Sequence, residues 1–467
     1  MFKRVLNISL AAAILVVALL FVFRPLDDSY LRLLRQGDEL AGRAERTAAV
    51  AVYQEAARLR PDDPLPYLRL AQLHLDWGRT DDALDAISQA QRLGAGEIDL
   101  ERLWVAVHVA RADWPAVVEH ARRLLALVPD ERDVRHTLAR AHIELREWDE
   151  ARTEYQVLLR VDPTDSLAHE RMGVLSLGDD DDAAAIQHLF AARTELADRL
   201  LAALREAGTA EDDAYTAASL GLSLLEAREW ALASLQFERA LACDPDCPDA
   251  HAYLGYALDH LGYSDEAEPH LRQAVALAPD SAAAHTFLGL YYGRLGDVAS
   301  ARAEYEMAYD LDPNNPAICI EIGQTWAAEG RYTEAEIWLR EAVSLQSDDP
   351  ALWKVLARFY LDHNIAATGR GVEAATRLVQ LVPDDAGAHD LRGWAALQVG
   401  DYEQAEESLR RAVALDPTLA ATHYHLGLLW SARGLHQEAR EAFVRALDLD
   451  TTGEMRSFIE RAMPGKP

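Results

Sequence analysis

Two consecutive stretches of the chain decide its fold. Residues 248–281 read PDAHAYLGYALDHLGYSDEAEPHLRQAVALAPDS, and residues 282–315 read AAAHTFLGLYYGRLGDVASARAEYEMAYDLDPNN. Both stretches are 34 residues long, with glycine at position 8, alanine at positions 20 and 27, and proline at position 32. Position 24 holds a large side chain, Leu271 in the first stretch and Tyr305 in the second. A fixed period of this size indicates stacked structural repeats.

The same period extends over residues 30–453. Positions 8 and 20 are each glycine or alanine in eleven of twelve repeats, the exceptions being Val105 and Val117. Two helices that pack about 8–10 Å apart need a small residue where they cross, and a bulky neighbour fills the adjacent hole. The proline then ends the second helix, because it cannot donate a backbone hydrogen bond. The pattern therefore predicts an all-α chain built from paired helices.

This pattern resembles that of the tetratricopeptide repeat (TPR) family over residues 30–453. The resemblance implies a right-handed superhelical α-solenoid of about twelve helix pairs, in which the first helix of each pair lines a concave groove. Residues 30–165 would form repeats 1–4, and residues 214–453 would form repeats 6–12.

Residues 166–213 depart from the period, because this fifth repeat has 48 residues instead of 34. After four aspartates at 179–182, a helical pattern runs from Ala183 to about Ala207 and predicts a lengthened second helix. The last segment, residues 454–467, reads as a capping helix and tail that cover the final apolar face.

The amino-terminal segment predicts a membrane anchor. After a short tail at residues 1–4, residues 5–23 are apolar and would span about 28 Å as a helix, against about 30 Å for a bilayer core. No small-residue cleavage pattern follows, which favours a retained transmembrane helix over a cleaved signal peptide. Lys3 and Arg4 precede the span and favour a single-pass protein of the inner (cytoplasmic) membrane with a periplasmic or other extracytoplasmic body.

Composition and charge exclude several classes of protein. Hydrophobic residues make up 50% of the chain, which excludes a disordered chain, and 3 cysteines are too few for a disulfide scaffold. Lysine plus arginine total 46 and aspartate plus glutamate total 77, which gives a net charge of −31. This charge repels phosphate, so we expect no nucleic-acid partner. It favours basic or neutral protein partners.

We find no motif that carries chemistry. The sequence lacks a phosphate-binding Gly-Lys-Ser/Thr loop, a His-Glu-x-x-His pair and a Gly-x-Ser-x-Gly elbow, and we therefore expect neither an enzyme nor a cofactor. Five histidines share position 4 of their repeats, where the family packs a side chain between helices. Being one repeat apart, they should not converge on a metal. They are His169, His251, His285, His389 and His423.

The three cysteines leave one question open. Cys243 and Cys247 flank an inter-helix turn, and outside the cytoplasm they could form a disulfide worth about 2 kcal/mol. Spacing alone does not decide whether the two thiols have the geometry for a bond. Cys319 lies within a helix and is expected to be a packed thiol.

The groove is the remaining candidate site. By resemblance, positions 2, 5, 6 and 9 of each first helix point into it, and aromatic or aliphatic residues there suit a peptide with apolar anchors. The alternative is that several of these residues pack against neighbouring repeats. The predicted groove residues are Tyr253, Tyr256, Phe287, Leu290, Glu321, Gln324, Lys354, Arg358, Trp394, Tyr424, His425 and Leu428.

These features predict a non-enzymatic, membrane-anchored TPR scaffold of a bacterial type. Its groove would bind a segment of a partner protein, as an assembly factor or accessory subunit of a membrane-associated complex. One alternative resembles the TPR subunits of c-type cytochrome maturation, which present a partner's tail. Another resembles the TPR parts of exopolysaccharide exporters, whose ligand would be a glycan or the cell wall. A third is a non-catalytic subunit of an enzyme whose active site lies on another chain.

Overall fold

The computed structural model of the protein describes residues 28–179, 181–207, 212–365 and 369–463. All regular secondary structure in these ranges is helical, which confirms the predicted all-α class for them. The predicted tail and anchor at residues 1–23 lie outside the described residues. Within the described ranges, no helix combines the length and the apolar character that a membrane span needs.

The helices follow one another in pairs joined by short turns. The first thirteen are α1 (Asp28–Gly42), α2 (Arg46–Leu59), α3 (Leu65–Asp76), α4 (Thr80–Arg92), α5 (Glu97–Ala110), α6 (Trp114–Leu127), α7 (Arg132–Glu144), α8 (Trp148–Val161), α9 (Ser166–Gly178), α10 (Asp182–Ala192), α11 (Glu195–Ala207), α12 (Asp213–Glu226) and α13 (Trp230–Cys243). The others are α14 (Pro248–His260), α15 (Ser264–Leu277), α16 (Ala282–Arg294), α17 (Val298–Leu311), α18 (Pro316–Ala328), α19 (Tyr332–Leu345), α20 (Pro350–Asp362), α21 (Arg370–Leu381), α22 (Ala386–Gln398), α23 (Tyr402–Leu415), α24 (Ala420–Ala432), α25 (His436–Leu449) and α26 (Arg456–Ala462).

The chain forms two compact bodies. The central body consists of residues 113–415 and holds α6 to α23. The terminal body combines the described residues up to 112 with those from 416 onward, so that α1 to α5 belong with α24 to α26.

Each helix pair closes at the position where the sequence pattern has a small residue. A Cβ atom at Gly255 in α14 would lie 2.6 Å from Cγ of Leu271 in α15. A Cβ atom at Gly289 in α16 would lie 2.6 Å from Cε1 of Tyr305 in α17. The same relation joins Gly173 to Leu189, Gly221 to Phe237, Gly323 to Leu339, Gly393 to Leu409 and Gly427 to Phe443. The predicted close crossing, with a bulky residue filling the adjacent space, is confirmed.

The lengthened second helix predicted for residues 183–207 is wrong. Two helices, α10 and α11, occupy this stretch, and Arg193 and Thr194 separate them. Arg193 has a left-handed φ of 55°, and the Thr194 hydroxyl accepts a hydrogen bond from the backbone N–H of Ala197 at 3.1 Å. A threonine that caps a backbone N–H in this way begins a new helix. Only the Thr-Glu pair in the sequence hints at this start.

The extra helix is accompanied by a packing contact outside the repeat pattern, between α9 and α13. A Cβ atom at Gly178, the last residue of α9, would lie 2.7 Å from Cδ2 of Leu235 in α13. The amide of Gln236 in α13 donates a hydrogen bond to the carbonyl oxygen of Val174 in α9 at 3.5 Å. The second helix of one repeat therefore packs on the first helix of the interrupted repeat before it.

A second contact outside the pattern starts at the turn after α7. The Arg146 guanidinium pairs with Glu238 of α13 and, at 2.7 Å, with Glu266 of α15. The Tyr263 hydroxyl, at the start of α15, donates to the backbone carbonyl of Glu144 at 3.5 Å. Burial raises the pKa of Glu238, while the Arg146 charge opposes this shift. These pairs fix the end of α7 against two helices that come about a hundred residues later in the chain.

In the terminal body, the last repeat packs against the first ones. Trp77 follows α3 and is only 1% exposed, and its indole N–H donates to the carbonyl oxygen of Leu447, 370 residues away, at 2.9 Å. The backbone N–H of Thr47 in α2 donates to the Asp448 carboxylate at 2.8 Å. Ile459 of α26 is buried in the same hydrophobic cluster as Trp77. The final apolar face is therefore covered by the first repeats as well as by α26.

The turn after α3 is shaped to accept the carboxyl-terminal segment. Gly78 has a left-handed φ of 70°, and a Cβ atom there would collide with the carbonyl oxygen of Thr451. The Arg456 guanidinium pairs with Asp82 at 2.6 Å beside it. Only glycine allows the two backbones to approach so closely.

Candidate functional site

Five ring-bearing side chains meet on α13, α14 and α16, and we call them the aromatic cluster. They are Trp230, Tyr253, Tyr256, His260 and Phe287. Trp230 stacks on His260 with ring centroids 4.3 Å apart, and Tyr256 lies 4.8 Å from Phe287. Tyr253 meets Phe287 edge-on at 5.3 Å. Three of the five, Tyr253, Tyr256 and Phe287, were predicted from their repeat positions, and the structure brings them together.

The aromatic cluster is partly core and partly accessible surface. Tyr253 stacks on the fully buried Phe237 at 5.6 Å, while His260 is exposed and the other rings are half-buried. Burial, helped by the negative charge of Asp249, raises the pKa of Tyr253, so its hydroxyl stays protonated at neutral pH. The cluster therefore exposes part of its rings to solvent, while the buried Phe237 supports it from the core.

Trp230 and His260 were missed by the sequence prediction. Trp230 is the first residue of a second helix, and His260 is the last residue of a first helix, so neither holds a predicted groove position. One signal was available: Tyr256 and His260 are four residues apart, which places them on one helix face. The His260 ring indeed contacts Tyr256 at 4.3 Å.

Leu290 and Glu321 have structural roles. Leu290 packs against the buried cluster that contains Tyr305 and Ile322. The Tyr305 hydroxyl donates to the Glu321 carboxylate, and burial raises the pKa of Glu321. The alternative interpretation, that some predicted groove residues pack within the repeats, applies to these two.

Four further predicted residues of the central body lie on α18, α20 and α22. Gln324 and Lys354 are exposed, and Arg358 pairs loosely with Asp362 at 3.6 Å. An exposed pair of this kind contributes at most about 1 kcal/mol. Trp394 is half-buried and packs against the apolar core of α19 to α22. These residues offer polar surface rather than a second aromatic site.

The three predicted residues of the terminal body take part in the contact between the chain's first and last repeats. Tyr424 and Leu428 pack against the cluster that contains Trp77 and Phe443. Burial raises the pKa of Tyr424. His425 is only 5% exposed, so in this structure it is a packing residue and not a surface for a partner.

The five histidines at position 4 all form the same hydrogen bond. In each, ring Nε2 lies 2.9–3.2 Å from the carbonyl oxygen of the proline six residues earlier, as in His251 and Pro245. The ring N–H thus donates to a carbonyl of the turn that joins two helix pairs, just after the C-cap residue of the preceding helix. In the ranges that the structure describes, no group of three or more His, Cys, Asp or Glu residues could hold a metal ion.

Two of these histidines pair with a second histidine. Nδ1 of His169 lies 2.9 Å from Nδ1 of His188, and Nδ1 of His251 lies 2.8 Å from Nδ1 of His270. Because Nε2 of the first ring already donates to a carbonyl, its Nδ1 accepts and the second ring donates. Burial, with a smaller contribution from the neighbouring ring, lowers the pKa of His188 and of His270.

The cysteines are free thiols in the structure. Cys243 is exposed and Cys247 is half-buried, and their pairing stays a prediction. Cys319 is buried in α18, and burial raises its pKa to about 11, so it is a packed and unreactive thiol.

Two protein-family models match the chain, and both are described as tetratricopeptide repeat. One matches residues 109–172 and 294–359, and the other matches residues 34–98, 219–267, 261–316, 368–420 and 391–454. Between residues 34 and 454 they leave residues 99–108, 173–218 and 360–367 unmatched, and the longest of these gaps holds α10 and α11. No curated protein matches the sequence.

Several solved structures are similar to the chain. Yeast Tom70 is 16% identical with a TM-score of 0.41, over 93% of this chain and 96% of that chain. A tetratricopeptide repeat protein from Parabacteroides merdae is 13% identical with a TM-score of 0.42, over 54% and 97%. PilW, described as a widely conserved type IV pilus biogenesis factor, is 23% identical with a TM-score of 0.40, over 44% and 94%. Likenesses of this size carry no argument about function.

Proposed function

Since the chain belongs to the tetratricopeptide repeat family, we propose that it is a non-enzymatic scaffold that binds a segment of a partner protein. The observation that supports this proposal is the aromatic cluster of the central body. Aromatic side chains dominate the binding energy of protein interfaces, because they bury a large area and lose little conformational entropy. The rings of this cluster already hold one another in place, so that binding orders few side chains.

The ligand that suits this surface is an amphipathic segment. Its apolar side chains would lie on Tyr256, Phe287 and Trp230, which are all half-buried and reachable from solvent. A few apolar anchors beside a polar rim are the usual composition of such an interface.

We further propose that residues 5–23 are a retained membrane anchor, with the body on the extracytoplasmic side. The length and apolar character of this segment support the proposal. An anchor raises the effective concentration of the scaffold near partners in the same membrane. The protein would then act as an assembly factor or accessory subunit of a membrane-associated complex.

Site-specific crosslinking in intact membranes tests the scaffold. A photo-reactive residue replaces Tyr256 in the aromatic cluster and, as a matched control, Ile337, which is 63% exposed on the second helix of another pair. We expect position 256 to capture a defined partner that position 337 does not capture. Trp230→Ala should then weaken this capture at least about thirtyfold, the effect of losing an interface hot spot. Equal capture from both positions would contradict the proposal.

The anchor is tested separately. Alkaline extraction should leave the full chain in the membrane and release a variant that lacks residues 5–23. Protease added to intact spheroplasts should digest the body. Release of the full chain by alkali contradicts the anchor, and protection from protease contradicts the orientation.

A further inference from the structure

A polar pocket of about 370 Å³ lies where the interrupted repeat meets the repeats on either side of it. It is formed by α7, α8, α9 and the turn between α12 and α13. Three arginines line it, Arg140 from α7, Arg171 from α9 and Arg228 from the turn.

The pocket brings together residues from three successive helix pairs. The turn that carries Arg228 and Glu229 reaches back to α9, where Arg171 Nη2 donates to the Glu229 carboxylate at 2.6 Å over 58 residues of chain. The lining residues lie in segments that the repeat models match, and residues 173–218 between Arg171 and Arg228 match neither model.

Arg171 is held in place but not fully satisfied. Its side chain is 15% exposed, and its Nη2 atom lies 2.6 Å from the Glu229 carboxylate and 3.7 Å from the Glu170 carboxylate. The Nη1 atom is buried, and no hydrogen-bond partner for it exists within the described part of the chain. An atom that solvent cannot reach is also out of reach of a ligand, so Arg171 contributes a fixed positive charge to the pocket and not a free donor.

The other two arginines are more accessible. Arg140 is 61% exposed and approaches Glu144 only to 3.7 Å. Arg228 is exposed on a turn with a left-handed φ of 59°, and the described residues offer it no ion pair. Arg228 can therefore turn towards a ligand without breaking an ion pair, whereas Arg140 would leave its position over the Trp114 ring, 5.2 Å from the ring centroid.

The charges that line the pocket indicate the charge of the ligand. Three arginines face the carboxylates of Glu144 and Glu229 in the lining, and the Glu170 carboxylate lies 3.7 Å from Arg171. A carboxylate ligand brings one negative charge and matches the planar fork of a guanidinium. A phosphate group brings close to two negative charges at neutral pH and would be repelled more strongly by the three glutamates.

We propose that this pocket binds the carboxylate of an internal aspartate or glutamate side chain of the partner segment. Trp230 of the aromatic cluster comes directly after Arg228 and Glu229 in the chain. A segment that places an acid in the pocket would therefore place an apolar side chain on the rings beside it. The inference rests on the proposed function. It adds an acidic side chain to the partner segment, which the overall charge of the chain would not predict, because that charge favours basic or neutral partners.

A peptide library tests the inference. The probe is a positional-scanning library of nine-residue peptides with acetylated and amidated ends, measured by fluorescence polarisation against the purified chain. Each peptide exists with glutamate, glutamine or phosphoserine at the scanned position, and a further set carries glutamine and a free carboxyl terminus. We expect glutamate to bind about tenfold more tightly than glutamine at one position, as for one charge-assisted hydrogen bond.

Variants locate the effect. Arg140→Gln and Arg228→Asn, the latter compatible with a left-handed backbone, should each reduce the preference for glutamate at least about threefold and leave binding of the glutamine peptide unchanged. Arg410→Gln on α23 is the matched control, because Arg410 is an exposed arginine that is also paired with a glutamate of its own helix. We expect it to behave as the wild type.

The possible failures are distinguishable. Peptides that bind without preferring glutamate, or that prefer phosphoserine or only a free carboxyl terminus, overturn the inference and leave the scaffold proposal standing. A preference for glutamate that survives both pocket variants also overturns it. If no peptide of the library binds, the proposed function fails together with the inference.

Discussion

The regular repeats at residues 248–315 and the interrupted repeat at residues 166–213 share one helix crossing but differ in the helix that comes after it. A Cβ atom at Gly255 would lie 2.6 Å from Leu271, and one at Gly173 would lie 2.7 Å from Leu189. In the regular repeats the next helix pair begins at once, whereas α11 is inserted after α10. The helix pair is thus the packing unit common to both regions, while the pocket lined by Arg140, Arg171 and Arg228 lies where the interrupted repeat meets its neighbours.

We expect the largest effect from truncation of the large side chain at each helix crossing, which tests whether the two crossings are equivalent. We expect Leu271→Ala and Leu189→Ala each to lower the free energy of unfolding by about 2–5 kcal/mol, because both side chains are buried and leave a cavity. Hydrogen exchange resolved by helix is the suitable measurement, since repeat arrays need not unfold in one step.

Exposed Leu295, in the turn between α16 and α17, provides the control for that pair, and Leu295→Ala should change stability by less than about 0.5 kcal/mol. A loss below about 1 kcal/mol for Leu189→Ala alone would mean that the interrupted repeat is loosely packed. The helix pair would then not be an equivalent packing unit in the two regions.

A smaller effect is expected at the helix starts. Ser281 begins α16 by accepting a hydrogen bond from the backbone N–H of Ala284 at 3.3 Å, and Ser281→Ala should destabilise the protein by about 1 kcal/mol. Thr194 caps α11 in the same way, but its hydroxyl also donates to the buried carboxylate of Glu170. Thr194→Ala should therefore cost about 1–3 kcal/mol more than Ser281→Ala, because Glu170 loses a donor.

Denaturant midpoints compare the two cap variants. Thr194→Ser retains both hydrogen bonds and should restore most of the stability that Thr194→Ala loses. Equal losses for the two alanine variants would show that Glu170 does not depend on Thr194. The interrupted repeat would then be stabilised by caps in the same way as the regular repeats.

The regular repeats could be predicted from the sequence because their packing is local. Gly255 and Leu271 are sixteen residues apart, and the same spacing recurs in most repeats, so the pattern itself reports the contact. The break at Arg193 and Thr194 could not be predicted with the same ease. No proline or glycine marks it, and its stability depends on Glu170 of α9, two helices earlier in the chain than α11.

The candidate site was predicted in part for the same reason. Tyr253, Tyr256 and Phe287 hold repeat positions that face the predicted groove, and position alone identifies them. The pocket depends on the packing of α13 on α9, which no periodic signal encodes. Arg171 and Arg228 were therefore not recognised in the sequence. The contact of Trp77 with Leu447 was missed because 370 residues separate the two.

The smallest expected effect concerns pH and the histidine pairs, which occur in both regions. His188 of the interrupted repeat and His270 of a regular repeat both have a pKa below the usual value of 6.5, mainly because of burial. Glu266 raises and Arg146 lowers the pKa of His270, whereas His188 faces only His169. The unfolded chain therefore binds these protons first as the pH falls. Stability should be full above about pH 6.5 and decrease below it.

The chain itself supplies a control for this prediction. At the same position of the next repeat, Glu304 stands where His270 does, and its carboxylate lies 2.7 Å from Nδ1 of His285. His188→Glu and His270→Glu copy this arrangement, in which a protonated imidazole gains an opposite charge.

Urea midpoints are measured at about pH 7.5 and about pH 5.5, and the two midpoints should differ less in each variant than in the wild type. Other carboxylates titrate in the variant and in the wild type alike, so the comparison of the two proteins isolates the histidine pair. We expect the smaller change for His270→Glu, because the charge of Glu266 already acts on this pair. If His270→Glu alone changes the pH dependence, the hydrogen bond between His169 and His188 in the interrupted repeat does not form in solution. The two regions would then differ inside the helix pair and not only after it.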